Sequence, residues 1–199
     1  MVKKRSIILG LFALVCNPAL ATLVKQFNIE ELAQSSEKIV YATVQSVKQE
    51  GPSGSRKFPS SVITFTVHDT WKGSVTQTVA LRQLTNDYKS RLRSILPLPV
   101  FKEGEQVVVF LSKQGRLGMA STMGLEQGVF RFPKKEGKVV SEKTPLVNRT
   151  ANKHLMQEVK SKKIKSYVAN KKIDPVKNEK PITMGDLKTM VKLSLENAP

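Results

Sequence analysis

The stretch Ile63-Thr64-Phe65-Thr66-Val67-His68-Asp69-Thr70-Trp71 decides the fold class. Ile63, Phe65, Val67 and Trp71 alternate with Thr64, Thr66 and His68, the period of two that a half-buried strand requires. Downstream, Lys72-Gly73-Ser74 turns the chain. Val75, Val79 and Leu81 then mark another strand, with Thr76, Thr78 and Arg82 on its opposite face. Upstream, residues 38–47 are β-branched and apolar and read as a first strand. Gly51-Pro52-Ser53-Gly54-Ser55 is the intervening loop. Gln106-Val107-Val108-Val109-Phe110-Leu111 is apolar on both faces, which predicts an internal strand covered from two sides. Residues 116–122 and 127–132 supply the remaining strands, with Gly115, Gly118, Gly124 and Gly128 permitting turns.

Strands without intervening helices predict an antiparallel architecture. The expectation is a mainly β protein, a small antiparallel barrel of five or six strands, since closure removes exposed edges. Helices are predicted at the flanks. Asn28-Ile29-Glu30-Glu31 has the form of a capping box, opening a short helix to about residue 35 with Ile29 and Leu32 facing inward. Residues 152–170 read as a basic helix with two stripes out of phase: Leu155, Met156 and Val159, then Ile164, Tyr167 and Val168. After a polar linker over 171–181, Thr183-Met184-Gly185-Asp186 forms a second capping box, and Leu187, Met190, Val191 and Leu195 follow at helical spacing.

The N-terminus carries Lys3, Lys4 and Arg5, a short apolar run, Pro18 and the small-x-small Ala19-Leu20-Ala21, the pattern of an export signal cleaved after Ala21. The apolar run is too short to span a bilayer as a permanent anchor. Cys16 is preceded by Val15, where a lipid-attachment site wants a small residue, so soluble release is expected. The resulting organisation is a signal peptide over 1–21, a β-barrel domain over 22–133 and a basic helical segment over 134–199. Cys16 is the single cysteine, so the exported part has no disulfide framework, which points to a bacterial periplasmic or secreted protein.

Four segments, taken in order, carry a resemblance. They are Asn28-Ile29-Glu30-Glu31-Leu32 with Ile39-Val40-Tyr41-Ala42-Thr43-Val44; Val67-His68-Asp69-Thr70-Trp71-Lys72-Gly73; residues 101–111; and Gly124-Leu125-Glu126-Gln127-Gly128-Val129-Phe130-Arg131. Together they resemble a group of uncharacterised bacterial exported proteins. The barrel of that group is similar to the oligonucleotide/oligosaccharide-binding (OB) barrel of tissue inhibitors of metalloproteinases. Thr183-Met184-Gly185-Asp186-Leu187 is similar to a final helix of the same group. The resemblance implies an OB-like barrel. It does not extend to protease inhibition, which in the inhibitors relies on an N-terminal cysteine with no counterpart here.

Catalytic patterns are sparse. Only His68 and His154 offer imidazoles, and adjacent strand residues such as His68 and Asp69 point to opposite faces. Metal-ligand spacing and phosphate-cradling glycine loops are absent, so no cofactor is expected. The alternative is a hydrolase whose carboxylates, for instance Glu37 and Glu126, assemble only in the fold. Asn148-Arg149-Thr150 fits a glycosylation sequon, read as coincidental in a bacterial protein.

The charge is more informative. Lys and Arg number 33 against 16 acidic residues, a formal net charge of +17, and the excess is heavier beyond residue 134. Outside the cytoplasm such a surface suits an anionic envelope polymer or an acidic exported protein rather than nucleic acid, although lysine also serves plain solubility. Two candidate contacts follow. One is Tyr88, Lys89, Arg91 and Arg93 in the excursion over 84–100; the other is Lys160, Lys162, Lys163 and Lys165 in the C-terminal segment. The expected role is non-enzymatic binding, with no membrane-spanning segment after signal removal. The sequence does not fix the oligomeric state.

Overall fold

The computed structural model describes residues 25–54, 58–75, 77–85, 98–133, 140–148, 154–173 and 181–196. The proposed signal and Tyr88, Lys89, Arg91 and Arg93 lie outside the described residues. The protein is mainly β. Helix α1 (Ile29–Ser35) leads into strands β1 (Lys38–Glu50), β2 (Ser60–Lys72), β3 (Thr78–Leu84), β4 (Gln106–Leu111) and β5 (Val129–Arg131), followed by helices α2 (Lys162–Lys171) and α3 (Met184–Glu196). The strands form one antiparallel sheet in the order β3-β2-β1-β4-β5.

That sheet is not closed by pairing between β3 and β5, so the structure gives a five-stranded sheet where the sequence predicted a barrel. Both of its edges are nevertheless engaged. On the β5 side Arg131 and Val147 exchange backbone hydrogen bonds of 2.8 Å in each direction. On the β3 side the Ala120 N–H donates to the Arg82 carbonyl at 2.7 Å. Covered edges of this kind block pairing with other chains.

Each face of the sheet buries a cluster. One contains Val40, Ala42, Val44, Ile63, Phe65, Val79, Leu81, Val107, Val109 and Val129, contributed by all five strands, with Phe101 set edge-on to Phe65. The other packs Ile39, Val108, Phe110 and Phe130 against Ile29 and Leu32 of α1, Ile164 of α2, and Leu187, Met190 and Val191 of α3. β4 supplies both clusters, which explains why it is apolar at every position from Val107 to Leu111. The C-terminal helices therefore share a core with the sheet.

Both capping boxes form. Asn28 accepts from the Glu31 N–H at 3.0 Å while Glu31 accepts from the Asn28 N–H at 3.2 Å. Thr183 accepts from the Asp186 N–H and Asp186 from the Thr183 N–H, each at 3.2 Å. Lys72 closes the other end of α1, donating to the carbonyls of Ala33 (2.9 Å) and Gln34 (2.8 Å), where a cation meets the negative end of the helix dipole.

Three expectations are corrected. Trp71 does not share a face with Ile63 and Phe65; it packs against the helix-backed cluster. The β1–β2 register shifts twice near this point, leaving His68 and Trp71 with no opposite residue in the β1 ladder, and each extra residue reverses the alternation. Residues 116–122 form no strand. They belong to a turn closed by the Gly115 N–H to Met119 carbonyl bond, with one bridge from Thr122 to Leu111. Finally, the helix expected over 152–170 begins only at Lys162. Glu158 adopts φ 54°, and Ser161 caps the helix from its side chain. The two out-of-phase stripes are thus two pieces of chain: Leu155 and Val159 pack from a turn, Ile164 from the helix.

Candidate binding cleft and the basic face

Strand register builds the first site. Along β1, β2 and β3 the inward positions run in cross-strand rows: Val44 beside Phe65 and Val79, then Val47 beside Ile63 and Leu81. The next row changes chemistry. Gln49 pairs with Ser61, and Ser61 with Gln83. An apolar interior therefore ends in a row of two amides and a hydroxyl. Val47 reaches the same face as Val44 because Gln45 is an extra residue in β1.

This row forms part of a cleft of about 600 Å³, whose apolar wall is Val47, Pro59, Ile63, Pro99, Val100 and Phe101. Ligand sites commonly have this size and this mixture of apolar wall and few polar groups. Gln49 Oε1 accepts from the hydroxyls of Ser61 (2.9 Å) and Thr85 (2.5 Å). Gln83 Nε2 donates to the Pro99 carbonyl at 2.9 Å, while Gln83 Oε1 is buried and accepts no hydrogen bond. An unmet buried acceptor costs about 1–3 kcal/mol. Glu50 also lines the cleft and pairs with Arg82 at 3.2 Å.

The segment 99–101 that floors the cleft is fixed from behind by Arg131. Its guanidinium donates to the Val100 carbonyl at 3.1 Å, meets Glu126 at 2.7 Å and Glu105 at 2.9 Å, and lies 5.8 Å from the Phe101 ring centre. Glu126, weighed from sequence as one of a catalytic pair, is thus held by a buried arginine. Buried charges persist when paired and hydrogen-bonded in this manner.

The second site is the basic face. Lys160, Lys162, Lys163 and Lys165 are all exposed and lie together at the start of α2, a helix with no acidic residue. Lys163 reaches Glu196 at 3.6 Å. The support beneath them is firm. Glu30, buried on α1, accepts the backbone N–H groups of Lys160 (2.6 Å) and Ser161 (2.8 Å), Ile164 enters the core, and the Tyr167 hydroxyl donates to Asp186 at 2.9 Å. Burial pushes the Tyr167 phenol above its ordinary value, and the hydrogen bond to Asp186 adds to the rise.

The histidines are held apart from the acids beside them. His68 Nε2 lies 2.7 Å from Thr43 Oγ1, with its ring 5.0 Å from that of Tyr41. Asp69 instead accepts from Trp71 Nε1 at 2.9 Å and Lys188 at 2.7 Å. His154 Nδ1 meets Gln157 Oε1 at 2.7 Å. Asn148 of the sequon is buried, its amide donating to the carbonyls of Gln127 and Val129 at 2.9 Å each. Among the described residues no group of three metal-ligating side chains occurs, and no helix is long and apolar enough to cross a membrane.

Sequence reasoning missed the cleft. One signal was available: in Val79-Ala80-Leu81-Arg82-Gln83 the alternation places a glutamine at a core-facing position. Comparison with known proteins gives no match to any family model, curated protein or solved structure. Fold and geometry alone define the chain here, as an antiparallel β protein backed by helices.

Proposed function

We propose that this chain is an exported, non-enzymatic binding protein of a bacterial envelope, and that it holds an anionic envelope component through the lysine face of α2. The observation that carries the reading is Lys162, Lys163 and Lys165 standing exposed in the first turn of α2, with Lys160 exposed just before it, where the buried Glu30 holds the backbone N–H groups of Lys160 and Ser161. Cations on a fixed support lose less freedom on binding than cations on a loose tail. Residues 1–21 support export, with release after Ala21 into the periplasm or medium. Reading the sheet as a small OB-like barrel is supported by the contribution of all five strands to one cluster and by the Ala120–Arg82 bond across the gap. A binding role, rather than hydrolysis, is supported by the engagement of Glu105 and Glu126 with Arg131 and by the separate partners of His68 and Asp69.

Affinity capture of the tagged protein from its native envelope fraction, with stepwise salt elution and mass spectrometry, tests this. An anionic polymer or lipid released at modest ionic strength is the expected result, because exposed charge contacts are screened. A protein partner that survives high salt would replace the proposal with a packed protein–protein interface.

A further inference from the structure

We infer that the glycine-bracketed loop Gly115–Gly118, with Leu117 at its tip, is a shallow anchor for an anionic lipid bilayer. The inference rests on the reading of an anionic envelope partner and narrows that partner to a lipid surface, met through a contact other than the lysine face. Leu117 is 54% exposed. Arg116 beside it and Lys113 are exposed as well, and no acidic residue occurs between Gln106 and Leu125. Glu105 and Glu126, which bound that stretch, are both paired with Arg131. An apolar tip therefore stands among cations that no carboxylate of its own stretch neutralises.

The loop holds its shape by itself. The Gly115 N–H donates to the Met119 carbonyl at 2.8 Å and the Gly118 N–H to the Gly115 carbonyl at 3.0 Å, while Gln114 Nε2 donates to the Gly118 carbonyl at 2.8 Å. Gly118 takes φ 70°, a left-handed conformation open to glycine. At the base, the Ser112 N–H donates to the Ser121 carbonyl at 2.9 Å, and Ala120 packs on the cluster that holds Phe65 and Leu81. Folding leaves more than half of Leu117 in water, so its apolar surface is still there to be buried.

A specific protein interface buries roughly 800 Å² on each partner, more than one loop tip offers. A bilayer needs no complementary shape. Its head-group region accepts an apolar side chain to a depth of about 5–10 Å, and anionic head groups answer the flanking cations. Phe58 and Val147 are also exposed, but Phe58 adjoins residues 55–57, outside the described residues, and Val147 is tied into the ladder with Arg131.

The test uses the exported protein and vesicles of phosphatidylglycerol and phosphatidylcholine. Trp71 is the single tryptophan and is half-buried, so Leu117→Trp adds a reporter for which the unaltered protein is the control. The added emission should shift to the blue on binding and be quenched by lipid brominated in its acyl chains, while Trp71 in the unaltered protein responds to neither. Leu117→Ser should bind the vesicles about fivefold more weakly, and that ratio should persist as salt rises, because only the charge contacts are screened. A reporter that stays unshifted and unquenched on vesicle-bound protein, a Leu117→Ser variant that binds as tightly as the unaltered protein, or no vesicle binding at all would overturn the inference. Blue shift and quenching that survive removal of the α2 lysines would uphold it even where the lysine-face reading fails.

Discussion

Ser61 stands directly opposite Gln83 across the β2–β3 ladder, and with Gln49 on β1 it closes an apolar interior with a polar row. The two side chains divide the hydrogen bonding. Ser61 donates towards β1, whereas Gln83 donates to Pro99 in the segment that returns to β4. The cleft owes its floor to that second bond.

Arg131 holds the other side of the same segment. Arg131→Met should leave the half-buried carboxylates of Glu105 and Glu126 without their shared cation and cost about 3 kcal/mol, the lower end for removal of one partner from a buried ion group. Chemical denaturation measures this. The triple variant Arg131→Met, Glu105→Gln, Glu126→Gln should recover most of the loss.

The Glu30 carboxylate ties α1 to the start of α2. Glu30→Ala removes the acceptor for two backbone donors and should lower stability by about 1–3 kcal/mol. Hydrogen exchange should accelerate at Lys160 and Ser161 before it does in the sheet.

Gly128 has no room for a side chain, since a Cβ there would meet the Met123 carbonyl oxygen. Gly128→Ala should therefore cost about 1–3 kcal/mol through overpacking. Gly51→Ala, where a Cβ meets nothing within 4 Å, is the matched control and should change the denaturation midpoint little.

Burial raises the Asp69 pKa, but hydrogen bonds from Lys188 and Trp71, together with the Lys188 charge, outweigh it and hold the carboxyl below its ordinary 3.8. A carboxyl depressed in the folded state adds stability above its unfolded value, and that stability is lost as pH falls through the folded one. The protein should accordingly weaken below about pH 4. Asp69→Asn should flatten this part of the acid limb in a series of denaturation curves. An unchanged acid limb would remove Asp69 from the account.

Local signals were readable where the physics is local. Both capping boxes and the alternation of β3 depend on residues three or fewer apart, and both appear as the sequence predicts. What failed depends on pairing. The extra residues His68 and Trp71 in β2 reverse a face, and nothing within the stretch 63–71 announces them; they exist because β1 fixes the register opposite. The cleft was hidden for the same reason. Gln49, Ser61, Gln83 and Pro99 meet only through two ladders and a returning segment. The basic helix lay between these extremes: its lysines were evident, but its start was set by Glu30, far away in sequence. The loop carrying Tyr88, Lys89, Arg91 and Arg93 lies outside the described residues, and no part of the site is built on it.

The central claim is that the lysine face of α2 binds an anionic surface. Its most direct measurement is cosedimentation with phosphatidylglycerol-containing vesicles over a range of ionic strengths, comparing the protein with a Lys160→Gln, Lys162→Gln, Lys163→Gln, Lys165→Gln variant. Each cation near such a surface contributes up to about 1 kcal/mol. At low salt the variant should bind at least about tenfold more weakly, and the two proteins should converge as salt rises. Equal binding by both proteins, or binding that does not respond to salt, would contradict the claim.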